Sequence, residues 1–221
     1  MAVTGTDPLP RSGRRTPAGA AVLQEGVTAA IARAAFREWA RVGYGALAME
    51  AVARRAGVGK AALYRRWPSK AAMIPALLER AGTPLAAVPD LGSFRAEVHM
   101  LLTQTARVLR RPLVRRIVAD LHAEMQRSPE LARAVRSGIQ AGRRGHGREV
   151  LTRAVARGEL PADLDRELAL DLLAAPLYWR LVVTGSDGGP EHIERLTGLI
   201  LTALGARRCE PSDPSSQRVL D

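Results

Sequence analysis

The chain has 221 residues, of which 47% are hydrophobic and 25% charged, and it carries a formal net charge of +11. This composition suits a globular chain long enough to bury one large core or two small ones, and the single cysteine, Cys209, excludes an internal disulfide framework and fits a reducing cytosol. No apolar run approaches the ~18 residues of a membrane span and the amino terminus lacks the apolar segment of a signal peptide, so a soluble, cytoplasmic protein with no membrane partner is expected.

The charge is unevenly placed. Residues 1–80 hold 13 Lys and Arg against 5 Asp and Glu, a local charge of +8, whereas residues 81–221 hold 20 against 17, or +3. A basic excess gathered in one segment is the electrostatic footprint of a surface that meets a polyanion. Residues 1–22 are rich in Pro, Gly and Ala, contain Arg11, Arg14 and Arg15, and show no periodicity. They read as a flexible basic arm. A first helix is expected from about Gly26 to Val42, with Ile31, Ala34, Ala35 and Trp39 as its inward stripe and Gly43 ending it.

Met49, Val52 and Ala53 then make one apolar face of a short helix, Ala56-Gly57-Val58 supplies a tight turn, and a second short helix runs from Lys60 to Trp67 with Leu63 as its anchor. Lys60, Tyr64, Arg65 and Arg66 occupy its other side, and Lys70 follows Pro68-Ser69. The pattern is a helix-turn-helix whose basic second helix suits a DNA major groove. Ser69 is a good N-cap for a further helix to about Arg80, within which Pro75 predicts a bend.

A Pro- and Gly-containing connector at 81–91 marks the best domain boundary, and everything beyond it reads helical. Phe94, Val98, Leu101, Thr105 and Val108 form one stripe, and Val114, Ile117, Val118, Leu121 and Met125 the next. Ser128-Pro129-Glu130 is a helix start. The glycines of AGRRGHG, residues 141–147, predict a break or loosened turn before the helix resumes towards Arg157. Asp165 caps an apolar helix carrying Leu168, Leu172, Ala175, Trp179 and Val182, and Pro190 begins the last one, with Ile193, Leu196, Ile200 and Leu204. Both are apolar over a wider arc than a monomer's surface helix needs. The organisation expected is therefore all-α: an arm at 1–22, a helix-turn-helix domain at 23–80, a helical domain at 81–206 and a flexible tail at 207–221.

No catalytic or metal chemistry is apparent. Gly59-Lys60 ends like a phosphate-binding loop, but the glycine that loop requires would stand at Arg54, and Ala61 replaces its Ser or Thr. His99, His122, His146 and His192 are scattered without zinc-ligand spacing, and no nucleophile elbow is present. The chain is expected to be no enzyme and to need no cofactor.

Ile31, Ala34, Ala35, Trp39, Gly43 and Tyr44, then Ala56-Gly57-Val58, Leu63-Tyr64 and Ser69-Lys70, closely resemble in identity and spacing the amino-terminal domain of the TetR family of transcriptional regulators, over roughly residues 27–80. The resemblance implies a three-helix DNA-binding domain followed by a helical domain that binds a small effector and dimerises. Matched onto this chain, it makes Gly59, Lys60, Ala61 and Ala62 the groove-facing start of the recognition helix, followed by Tyr64, Arg65 and Arg66, with Lys70 as a phosphate contact. Three positions depart from the pattern. Ala48 and Ala62 stand where threonines are frequent, and Trp39 where phenylalanine is usual.

Residues 154–185 resemble one branch of the family and imply a homodimer, with Leu168, Leu172, Trp179, Ile193, Leu196, Ile200 and Leu204 at its interface. The two recognition helices would then read half-sites about one turn, roughly 34–36 Å, or somewhat more apart in a palindromic double-stranded operator. Repression by occupancy, released by an unidentified small-molecule effector, is the implied mechanism. Candidate pocket residues are Phe94, Met100, Leu121, His122, Met125, Tyr178 and Trp179. An activator, or a helical regulator or adaptor without a small-molecule ligand, remains the alternative reading.

Overall fold

Helices account for every regular element that the computed structural model describes, over residues 20–81 and 86–207. They are α1 (Ala20–Ala46), α2 (Met49–Ala56), α3 (Lys60–Arg66), α4 (Lys70–Ala81), α5 (Phe94–Leu109), α6 (Pro112–Met125), α7 (Pro129–Val135), α8 (Ala141–Ala156), α9 (Arg166–Tyr178) and α10 (Pro190–Ala203). Local chemistry sets most of their starts. Ser69, Ser93 and Ser128 accept from the backbone N–H three residues on, at 3.2, 3.3 and 3.4 Å. Asp165 accepts from both Glu167 and Leu168 N–H, and Pro112, Pro129 and Pro190 open α6, α7 and α10. Gly43, at φ +78°, breaks the helical path near the end of α1, and Gly57, at φ +70°, turns the chain from α2 towards α3.

The structure differs from expectation in three places. Helix α1 begins at Ala20, six residues before Gly26, because Ala20 to Gln24 contains good helix formers and no breaker. Residues 20–22 of the expected arm are therefore helical. The rest of that arm, part of the connector (82–85) and the tail from 208 lie outside the described residues. Arg207, first residue of the expected tail, donates its N–H to the Glu159 carbonyl at 3.0 Å.

The third difference concerns the loosened turn, which lies not in AGRRGHG but one turn earlier. Arg136–Gln140 form a π-helical turn between α7 and α8, whereas residues 141–147 are regular α-helix. Gly147 explains part of this. A Cβ there would stand 2.6 Å from Cδ2 of Leu170, so the glycine serves close packing of α8 on α9. A second π turn, Trp179–Val183, prolongs α9 beyond Pro176.

Two apolar cores result, and they do not follow chain order. The first joins α1–α4 (Trp39, Val52, Leu63, Met73, Ile74) to α6 and α7 (Ile117, Leu121, Met125, Leu131, Val135). The second joins Val88 and α5 to α8, α9 and α10. Two helices that follow the connector thus pack on the helix-turn-helix. No described helix is long and apolar enough to cross a membrane.

Candidate nucleic-acid interface

Buried Leu63 holds α3 against the first core, which turns Lys60, Ala61, Ala62, Arg65 and Arg66 outward as one exposed face, with Gly59 capping its start. The Arg66 guanidinium lies 4.8 Å from the Trp67 ring centre. Glu50, in the first turn of α2, faces this helix. One of its oxygens takes the Lys60 ammonium at 2.8 Å and accepts the Tyr64 hydroxyl at 2.9 Å. Lys60, Glu50's own backbone and Tyr64 push the Glu50 carboxyl down to about 2. The same contact raises the Lys60 ammonium and the Tyr64 phenol above their ordinary values. Ala48, at the start of α2, is extended and offers no side-chain cap.

Lys70 has a structural task beside any contact with phosphate. Its Nζ donates to the carbonyls of Tyr44 and Gly45 at 2.7 and 2.6 Å and lies 5.0 Å from the Tyr44 ring centre. It ties the start of α4 to the chain reversal at the end of α1. From the other side, Asp120 of α6 reaches the same reversal. Its Oδ2 accepts from the Trp39 indole N–H at 2.6 Å and from the Tyr44 backbone N–H at 2.8 Å. A phenylalanine at position 39 would have no N–H to offer, so the tryptophan there adds the indole half of this tie. A Cβ at Gly43 would approach Asp120 Oδ1 at 3.3 Å. Deeper in α1, buried Glu38 binds Arg41 at 2.5 Å and Arg55 of α2 at 2.8 Å, and these arginines hold its carboxyl below the ordinary carboxylate range against the opposing effect of burial.

A cavity of about 370 Å³ lies where the two cores meet. Its wall includes Phe36 of α1 and Leu78 of α4, but most of it comes from α5–α8 and the π turn, including Val114, Ile117, Val118, Ile139, Gln140 and Arg143. Of the candidate pocket residues, Leu121 and His122 line it. Tyr178 touches it indirectly, its hydroxyl 3.3 Å from His122 Nδ1. The others are placed elsewhere: Phe94 is packed inside the second core and Met125 inside the first, Met100 lines a separate groove along α5, and Trp179 is 61% exposed.

The candidate interface residues also divide. Leu168 and Trp179 are exposed and Leu172 half-buried, whereas Ile193, Leu196, Ile200 and Leu204 are buried within the chain's own second core. Leu199 and Val183, not among the candidates, are exposed on α10 and the second π turn. Glu50, Asp120 and Arg143 also escape sequence reading, since each looks like an ordinary surface charge until the fold supplies its neighbour. No group of His, Cys, Asp or Glu that could hold a metal occurs among the described residues.

Comparison with known proteins matches residues 31–77 to "Bacterial regulatory proteins, tetR family" and residues 88–200 to "Tetracyclin repressor-like, C-terminal domain". The chain is 30% identical over 172 residues to the uncharacterized HTH-type transcriptional regulator YdeS of Bacillus subtilis, covering 78% of this chain and 86% of that one. It is 33% identical over 190 residues to the DNA-binding transcriptional repressor TetR of Mycobacteroides abscessus, covering 81% and 96%. Among solved structures, TetR family transcription regulator SCO0332 superposes with a TM-score of 0.62 at 30% identity, over 80% of this chain and 97% of that one. With both halves matched and the recognition helix exposed on its buried anchor, the chain belongs to the TetR family of DNA-binding transcriptional regulators.

Proposed function

We propose that the protein is a homodimeric repressor that occupies a palindromic operator and leaves it when a small molecule enters the cavity between the cores. The observation that carries this reading is the cavity wall itself. It takes Phe36 and Leu78 from the helix-turn-helix side and Ile117, Leu121 and Ile139 from the helices packed on it. A ligand seated there touches elements that orient α3. Helix α6 supplies much of that wall and also carries Asp120, bonded to Trp39 and Tyr44, and Lys70 links Tyr44 to the start of α4. A shift of α6 has a bonded path through the end of α1 to the start of α4, the helix that follows α3 in the chain.

Exposed Leu168, Trp179, Val183 and Leu199 favour pairing with a second copy, since large apolar side chains at the surface of α9, the second π turn and α10 are covered by dimer formation. The M. abscessus relative bears the name repressor, which favours that sign of regulation here. At the operator, Lys60, Arg65 and Arg66 donate to base edges or phosphates, the Ala61 and Ala62 methyls meet thymine methyls, and Lys70 turns its remaining N–H to phosphate. Moving the population from 99:1 competent to 1:99 requires a ligand preference of about 5.5 kcal/mol between conformers. Selection of bound duplexes from a randomised pool at physiological salt tests the reading. Enrichment of an inverted repeat supports it, and salt-sensitive binding without enrichment refutes it.

A further inference from the structure

Helix α8 carries four arginines, and three of them are paired. Arg144 holds Glu167 at 2.5 Å and Asp171 at 2.7 Å, Arg148 holds Glu167 at 3.1 Å, and Arg153 holds Glu97 at 2.7 Å. The fourth, Arg143, has no ion pair and no side-chain hydrogen bond among the described residues. It lines the 370 Å³ cavity and also a void of about 70 Å³ between α5, α8 and α9. Half-buried without a compensating charge, its guanidinium is pushed below the ordinary arginine value by desolvation.

A guanidinium partly withdrawn from water among apolar side chains costs free energy that an anion or well-placed acceptors offset. Among the described residues the protein provides no anion there. No Asp or Glu lines the cavity, while Arg111 adds a second positive group. Gln140, on the π turn just before α8, exposes an amide to the same space and has no side-chain partner among the described residues. Thr105 commits its hydroxyl proton to the Leu101 carbonyl at 2.8 Å, which leaves its oxygen as an acceptor only. Apart from Phe36 and His122 the wall carries no ring among the described residues, so an aliphatic body fits it better than a stacked aromatic one. The volume is near the lower end of the roughly 300–1,000 Å³ of small-molecule sites.

We propose that the cavity takes an amphiphilic anion, an aliphatic carboxylate whose head group pairs with Arg143 and Gln140 while its chain lies among Val114, Ile117, Val118 and Ile139. This assignment rests on the cavity being the effector site. Arg presents a planar fork that donates to both carboxylate oxygens, a geometry no neutral head group reproduces.

The test uses the full-length protein, calorimetry, and decanoate against decan-1-ol, both below their aggregation limits. Decanoate is expected to bind saturably, one per chain, roughly ten- to hundredfold tighter than the alcohol, as a charge-assisted contact predicts. The Arg143→Gln variant should keep its operator affinity and lose that preference, with Arg143→Lys restoring part of it. Equal affinity of acid and alcohol in the unaltered protein overturns the assignment whether or not the variant folds. So does a preference for the acid that survives in Arg143→Gln, or failure of decanoate to bind a protein that still binds its operator. Decanoate that binds through Arg143 yet leaves the operator complex intact would uphold the ligand class and refute release by this cavity.

Discussion

At α3, the proposed recognition helix, one carboxylate oxygen of Glu50 holds both Lys60 and Tyr64, so on the proposed reading DNA shares or displaces that contact before Lys60 reaches a phosphate. Glu50→Gln removes the competing charge. Operator binding should tighten by about two- to tenfold in ~100 mM salt, with a steeper salt slope of up to about one unit, read by titration across salt concentrations. Weaker binding would assign Glu50 to orienting Lys60 instead. Because its carboxyl is pushed down to about 2, Glu50 stays ionised throughout the pH range of such assays and contributes no pH dependence to them. Glu38 differs by being buried. Its folded value lies below the unfolded one, so its contribution is fully present above about pH 4.5 and is lost as pH falls through the lowered value. Glu38→Gln should cost about 1–2 kcal/mol at neutral pH, since the arginine ends are partly exposed. In urea titrations the gap to the unaltered protein should close on acidification. A gap independent of pH would mean the ion pairs contribute nothing.

Among the elements, α8 separates local propensity from packing. Gly145 and Gly147 look alike in sequence, and both weaken an isolated helix. In the fold, a Cβ at Gly145 meets nothing within 4 Å, whereas one at Gly147 collides with Leu170 in the α9 interface. Gly145→Ala should therefore stabilise by about 0.5–1 kcal/mol. Gly147→Ala should destabilise by about 1–2 kcal/mol, because overpacking outweighs the gain in propensity. Thermal melts of the two variants decide the matter, and shifts of the same sign would contradict the packing account. The same pair shows why glycine content placed the loosened turn in AGRRGHG while the structure places it at Arg136–Gln140. Composition registers the absence of side chains, but only the facing helix determines whether that absence is filled.

For the molecule as a whole, α6 is the member shared by the two halves. It packs its apolar face into the first core, lines the cavity, and grips the end of α1 through Asp120. Asp120→Ala leaves the Trp39 and Tyr44 N–H groups without their acceptor and should lower stability by about 1–3 kcal/mol. It should also weaken operator binding several-fold with unchanged sequence preference, although Asp120 is not on the recognition helix. Unchanged affinity, measured alongside amide exchange at Tyr44, would remove Asp120 from the proposed path between cavity and DNA.

How much of this was legible in the sequence follows from the range of the interactions involved. Helix starts at Ser69, Ser128, Asp165 and Pro190, the turn at Gly57, the inward Leu63 and the outward Lys60, Arg65 and Arg66 depend on residues within one or two turns, so periodicity and capping chemistry determined them. The family resemblance followed from the same local spacing. Contacts between distant segments decided the rest. Asp120 lies 81 residues from Trp39, Glu50 meets its partners across a turn, and Arg143 is distinguished from Arg144 and Arg148 only by which carboxylates α9 brings near. A charge's role depends on its surroundings, and for these residues the surroundings exist only once the helices have packed.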